Sequence, residues 1–116
     1  MDDNFFMKEA LREAEKALQK DEVPIGEVAA YKGQIIGRGH NQIEQLQDPT
    51  AHAEILAITA AANALSSWRL NDVEMYVTVE PCIMCAGAMV QARIKRVIFG
   101  ARDAKFGGCG SIFNVG

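Results

Sequence analysis

Apolar residues recur every three or four positions near the start of the chain, and charged residues lie between them. This spacing predicts an amphipathic helix over residues 4–20. Asp2, Asp3 or Asn4 can cap its start. The apolar stripe consists of Phe6, Ala10, Leu11, Ala14, Ala17 and Leu18.

The remaining pattern predicts a single α/β domain over residues 1–116. Two short runs, 27–31 and 34–39, flank a turn at Lys32 and Gly33 and predict an antiparallel hairpin. Residues 51–65 are almost all Ala, Ile and Leu, which predicts a buried helix. A strand at 75–79, a helix at 82–94 and a short buried strand at 96–100 then form a βαβ unit, so we expect these two strands to be parallel.

Composition favours a single globular domain. The chain has 116 residues, of which 49% are hydrophobic and 23% charged, close to the average for folded globular proteins. No apolar run approaches the roughly 18 residues of a membrane span, and the first residues lack the pattern of a signal peptide. We therefore expect a cytoplasmic protein whose three cysteines are reduced.

Charge is distributed unevenly, with a net charge of −3 that argues against general coating of nucleic acid or membrane. Acidic residues dominate before residue 93, whereas basic residues dominate after it. The later basic residues are Arg93, Lys95, Arg96, Arg102 and Lys105, against Asp103 alone. A polyanion would therefore bind only locally, and a solvated surface is the simpler interpretation of the cluster.

Four residues at two predicted helix starts form a candidate catalytic metal site. Cys82 and Cys85 are three residues apart on one helical face, and His52 supplies an imidazole. One imidazole and two thiolates are the ligands of a catalytic zinc site that keeps its fourth position for water. Glu54 is left to carry protons between water and substrate.

Three simpler interpretations compete with this one. His52 alone is typical of a capped or core histidine, and the Cys82–Cys85 pair alone also fits a thioredoxin-like redox site. Cys109 as a fourth ligand would close a structural zinc site without catalysis. The combination of His-x-Glu with Pro-Cys-x-x-Cys favours the catalytic site, because it is the known pattern of zinc-dependent nucleobase deaminases.

The sequence resembles the tRNA-specific adenosine deaminases in several blocks. They are EVPIG at 22–26, Asn41, DPTAHAE at 48–54, YVTVEPCIMCAGA at 76–88 and VIFGARDAK at 97–105. The resemblance implies a cytidine-deaminase-like α/β/α sandwich with a mixed sheet, a homodimer, and hydrolytic conversion of the wobble adenosine of a tRNA anticodon loop to inosine. It also implies that one zinc ion per chain activates the attacking water, with Glu54 moving its proton.

The same resemblance implies roles for further residues. Asn41 matches a position that contacts the nucleoside, and Val23, Pro24 and Ala53 match the pocket wall. Arg102, Asp103 and Lys105 match the stretch that contacts nucleotides flanking the target, which makes the basic cluster from residue 93 onward a candidate phosphate-facing surface. Cys109 matches no ligand position and is expected to be a spare thiol.

The family's members normally continue through a further strand and a long helix, which we expect this shortened chain to lack. The strand at 96–100 would then be an edge of the sheet. Two other functions remain open: a guanine or other free-purine deaminase, and a catalytically silent zinc-stabilised module that binds RNA or a partner. The sequence does not rank RNA against single-stranded DNA as the substrate.

Overall fold

The fold is described from a computed structural model in which residues 2–101 are defined. Its four strands and four helices alternate along the chain largely as the hydrophobic pattern predicts. In chain order they are α1 (Asp3–Gln19), β1 (Gly26–Tyr31), β2 (Gln34–His40), α2 (Ile43–Leu46), α3 (Ala53–Leu65), β3 (Val73–Val79), α4 (Ile83–Gln91) and β4 (Arg96–Ala101).

The four strands form one mixed sheet in the order β2-β1-β3-β4. β1 and β2 are the predicted antiparallel hairpin, and β3 and β4 are parallel as the βαβ pattern requires. β1 joins the two halves by pairing antiparallel with β3. The prediction of an α/β fold with a mixed sheet is therefore confirmed.

Helix α1 covers one face of the sheet. The Asp2 side chain accepts a hydrogen bond from the backbone N–H of Phe5 at 3.0 Å, which confirms a capped start. Phe6 and Ala10 on its buried stripe belong to a cluster with Val28 and Tyr76 of the sheet. The predicted stripe is therefore buried at Phe6, Ala10, Ala14 and Ala17, whereas Leu11 and Leu18 are exposed beside the buried helix face.

Helices α3 and α4 cover the opposite face, and α3 lies very close to β2. A Cβ atom at Gly39 would be 2.2 Å from the carbonyl oxygen of Ala53, and one at Gly37 would be 2.7 Å from that of Ala57. Any side chain at these positions would push the helix away from the strand. The two glycines therefore fix α3 at the end of β2 from which the chain continues to Asn41.

Three further predictions of the fold need correction. Helix α4 ends at Gln91 rather than at residue 94, because Arg93 has a φ of 65° and cannot continue a right-handed helix. β4 is half-buried at Val97 and exposed at Gly100, because it is an outer strand of the described sheet. Helix α3 buries one face, whereas Thr59 on its other side is exposed.

The short helix α2 was not predicted from the sequence. It begins after Gln42, whose side chain makes no capping hydrogen bond, so the usual start signal is missing. Within residues 2–101, no helix is both long enough and apolar enough to cross a membrane.

Candidate metal centre

The starts of α3 and α4 meet at the carboxyl end of β3, and each helix has a candidate ligand at its first position. His52 is the N-cap of α3 and Cys82 is the N-cap of α4, both with extended backbone. Neither side chain makes a capping hydrogen bond. Both side chains are thus available to point into the space between the helices.

Three donor atoms converge there as the sequence predicts. Nδ1 of His52 lies 3.6 Å from Sγ of Cys82 and 3.4 Å from Sγ of Cys85, and all three atoms lie within 4.8 Å of one another. A tetrahedral zinc ion bonded at about 2.3 Å to sulfur and about 2.0 Å to nitrogen separates such atoms by about 3.5 Å. The donor set therefore fits a tetrahedral metal ion.

The two thiols titrate very differently. The hydrogen bond that Cys85 gives to Cys82, helped by the backbone N–H groups of Cys85 and Met84, lowers the pKa of Cys82 to about 5. The same hydrogen bond, with burial and nearby negative charge, raises the pKa of Cys85. One thiolate is therefore present at neutral pH before any cation arrives, which suits metal binding.

Glu54 lies beside the donors in the first turn of α3. Its side chain is 3% exposed, and burial raises its pKa to about 7. Oε1 of Glu54 accepts no hydrogen bond from residues 2–101. A buried carboxyl group with this pKa exchanges protons readily near neutral pH, as a general base or acid requires.

The predicted substrate-binding residues lie on segments at the same end of the sheet as this centre. Oδ1 of the buried Asn41 accepts the backbone N–H of Ala53 at 2.9 Å, so these two residues are in direct contact. Ala53 is fully buried. Val23 and Pro24 are exposed on the loop before β1, which leads to the same end of the sheet.

Glu27 and Glu80 are buried acidic residues that sequence reasoning missed. Glu27 lies on β1 with no exposed surface, on the strand face opposite to Val28, and its charge contributes to the raised pKa of Cys85. Glu80 directly follows β3 and is also buried. A glutamate inside a predicted buried strand was the available signal for Glu27.

The predicted basic surface is wrong for its first part. Arg96 pairs with Glu74 at the start of β3, and it also forms an ion pair with Asp3. Because β3 and β4 are parallel, that end of the sheet is opposite to the metal centre. Arg102, Asp103, Lys105 and Cys109 lie outside the described residues.

The comparisons with known proteins agree with this geometry. A family model described as MafB19-like deaminase matches residues 1–115. The chain is 51% identical over 115 residues to a tRNA-specific adenosine deaminase from Aquifex aeolicus, covering 99% of this chain and 76% of that protein.

Two solved structures are similar as well. One comes from a study of A-to-I editing by tRNA:A34 deaminases at the wobble position; it has a TM-score of 0.91 and 48% identity over 93% of this chain and 78% of its own. A guanine deaminase from Bacillus subtilis has a TM-score of 0.86 and 36% identity, covering 92% of this chain and 72% of its own. Sequence identity is thus lower to the guanine deaminase than to the adenosine deaminases.

Proposed function

Because this chain belongs to the MafB19-like deaminases and, among them, to the tRNA-specific adenosine deaminases, we propose that it converts adenosine to inosine in tRNA. The reaction is hydrolytic, releases ammonia and acts at the wobble position of the anticodon loop. The observation that carries this proposal is the convergence of His52, Cys82 and Cys85 beside the buried Glu54. A redox pair needs neither the imidazole nor the glutamate.

His52, Cys82 and Cys85 would hold one zinc ion per chain. The support for zinc is the donor set, two sulfurs and one nitrogen at tetrahedral separations, which leaves a fourth position open. When bound, zinc supplies Lewis-acid chemistry that lowers the pKa of a water molecule to about 7. A structural zinc site with Cys109 would leave no such position.

Glu54 is the proposed catalytic residue. Its raised pKa would let it take one proton from the attacking water and deliver that proton to the adenine ring. When the C6–N bond breaks, Glu54 would take the second proton from the new C6 hydroxyl group and pass it to the departing amine, which leaves as ammonia. General acid–base transfer of this kind accounts for roughly 10²–10⁴ in rate. Attack at C6 of adenine requires that the base be turned out of its stack into the site.

Asn41, Ala53, Val23 and Pro24 are the proposed substrate-binding residues. Asn41 is supported by its contact with Ala53, which places it at the start of α3 beside Glu54. Exposure of Val23 and Pro24 on the same side supports their assignment to the pocket wall. These residues would surround the flipped adenine and hold it against Glu54.

Arg102, Asp103 and Lys105 remain proposed contacts to the flanking nucleotides. Their support is the register of the sheet, in which Ala101 pairs with Val79, three residues before Cys82. The chain therefore leaves β4 at the end where the metal centre lies. Lysine and arginine there would contact phosphates without selecting a sequence.

A homodimer is proposed from the outer face of α4. Ile83, Met84 and Val90 are exposed apolar residues on this nine-residue helix, and Ile83 and Val90 are one heptad apart on one face. A second copy would cover this face beside the metal centre.

We further propose that residues 1–116 form one deaminase domain. A tRNA substrate also favours a cytoplasmic location for the enzyme.

The test is deamination by the zinc-loaded chain of an anticodon stem-loop, single-stranded DNA and free guanine, measured as ammonia release. We expect inosine in the stem-loop, loss of activity in Glu54→Ala, and an unchanged zinc content in that variant. Glu15→Gln, which alters an exposed carboxylate of α1, serves as the control. Release from guanine alone would favour the free-purine deaminase, and zinc binding without any deamination would favour the silent module.

A further inference from the structure

Glu22 is a buried acidic residue whose carboxylate holds a distant loop in place. Its Oε1 accepts the backbone N–H of Glu44 at 3.1 Å, and its Oε2 accepts that of Gln45 at 2.7 Å. Both N–H groups belong to the first turn of α2, where backbone donors have no partner inside the helix. Because Gln42 makes no side-chain cap, Glu22 caps this helix from another part of the chain.

The loop that Glu22 holds is the 41–52 loop, which connects Asn41 to the predicted ligand His52. Further backbone hydrogen bonds fix both ends of this loop. The N–H of Asn41 donates to the carbonyl of Ile25 at 3.2 Å, and the N–H of Gln42 donates to that of Ala51 at 2.9 Å. The loop is therefore tied both to the segment that follows Glu22 and to the start of α3.

The two tied segments present apolar side chains to solvent. Val23, next to Glu22, is 59% exposed, and Leu46, next to Gln45, is 50% exposed. We call the two hydrogen bonds from the N–H groups of Glu44 and Gln45 to the Glu22 carboxylate the carboxylate tie. Val23 and Leu46 each directly follow a residue that takes part in it. A change in the tie would therefore move both side chains relative to Asn41 and the metal centre.

We propose that Glu22 is a positioning residue for the nucleic-acid substrate. It sets the rim formed by Val23 and the 41–52 loop, and this rim contacts both the flipped adenosine and the nucleotides beside it. Unstacked bases of a single-stranded loop expose apolar faces, which suits exposed Val and Leu side chains at the mouth of a site. The inference rests on the proposed function, because it assumes an RNA loop as the ligand.

The carboxylate is specific to this task because it offers two acceptor oxygens to two adjacent N–H groups. Glu22→Gln keeps the size of the side chain but replaces one acceptor with an amide donor. Glu22→Ala removes both acceptors. Glu15→Gln is the matched control, because it makes the same chemical change at an exposed carboxylate of α1, outside the 41–52 loop and the Glu22 hydrogen bonds.

The experiment compares these variants as full zinc-loaded chains in three measurements. Amide hydrogen exchange reports the tie itself, fluorescence anisotropy reports binding of an anticodon stem-loop, and steady-state kinetics separates KM from kcat. For Glu22→Gln we expect faster exchange at Glu44 and Gln45 and about tenfold weaker binding with a matching rise in KM. Zinc content and kcat should stay within about twofold, as the effect is on positioning and not on chemistry.

Several outcomes would overturn the inference. Unchanged exchange at Glu44 and Gln45 would show that the tie does not hold the loop in solution. Faster exchange with unchanged stem-loop binding and KM would reduce Glu22 to a structural role. A wild-type chain that binds the stem-loop without deaminating it refutes the proposed function alone, since the binding and exchange measurements still test Glu22; a wild-type chain that does not bind refutes both.

Discussion

Replacement of Glu54 by glutamine is expected to stabilise the metal-free protein above neutral pH. Burial raises the pKa of this carboxyl group from its ordinary value of 4.5 to about 7, so the folded state holds the proton more tightly than the unfolded state. The contribution of the protonated Glu54 side chain to the free energy of unfolding is therefore fully present below pH 4.5, and it is lost as pH rises through 7. A difference of about 2.5 pKa units corresponds to about 3 kcal/mol.

The assay is urea unfolding of wild type and Glu54→Gln in chelator and reducing agent at pH 5 and pH 8. Because glutamine does not titrate, the variant should exceed wild type by less than about 1 kcal/mol at pH 5 and by about 3 kcal/mol at pH 8. Both proteins keep the two thiols, and Glu15→Gln, at an exposed carboxylate of α1, should follow wild type. Parallel pH profiles for wild type and Glu54→Gln would refute the assignment of a desolvated carboxylate.

Two further substitutions test the support beneath the site. Asn41→Ala leaves the N–H of Ala53 without its buried acceptor and should lower the free energy of unfolding in urea by about 1–3 kcal/mol. Asn63→Ala, at an exposed position of α3, should leave that free energy unchanged, and equal losses in the two variants would contradict the argument. Gly39→Ala places a Cβ 2.2 Å from the Ala53 carbonyl oxygen and should lower zinc affinity at least tenfold in a chelator competition. Wild-type zinc affinity in this variant would show that the position of α3 does not depend on its close approach to Gly39.

The local pattern of the sequence predicted most of the fold and singled out the candidate metal ligands. The periods of α1, the hairpin and the βαβ unit depend on which side chains are buried, and this information is local. His52, Cys82 and Cys85 could be found because ligand chemistry restricts residue type and spacing. In the structure their donor atoms lie within 4.8 Å of one another, which is compatible with a metal site.

What could not be predicted depends on contacts between distant residues. Helix α2 is capped by a carboxylate about twenty positions earlier in the chain, so no local signal marks its start. Arg96 is drawn to Asp3 and Glu74 by a register that only the folded sheet defines. Charge counted along the sequence therefore grouped Arg96 with the later basic residues and gave no sign of its ion pairs with Asp3 and Glu74.

The metal centre depends on the sheet more than on direct contact between the two helices that carry the ligands. Helix α4 starts where β3 ends, so strand pairing fixes the position of Cys82 along the strand direction. Helix α3 does not directly follow a strand. Its position along the same direction is set by its close approach to Gly39 and by the hydrogen bond from the N–H of Ala53 to Asn41. A slip of one helical turn is about 5.4 Å, more than the 3.4 Å that separates His52 Nδ1 from Cys85 Sγ. The residues that bring the three candidate ligands together are therefore Gly39 on β2 and Asn41 directly after it, neither of which is itself a candidate ligand.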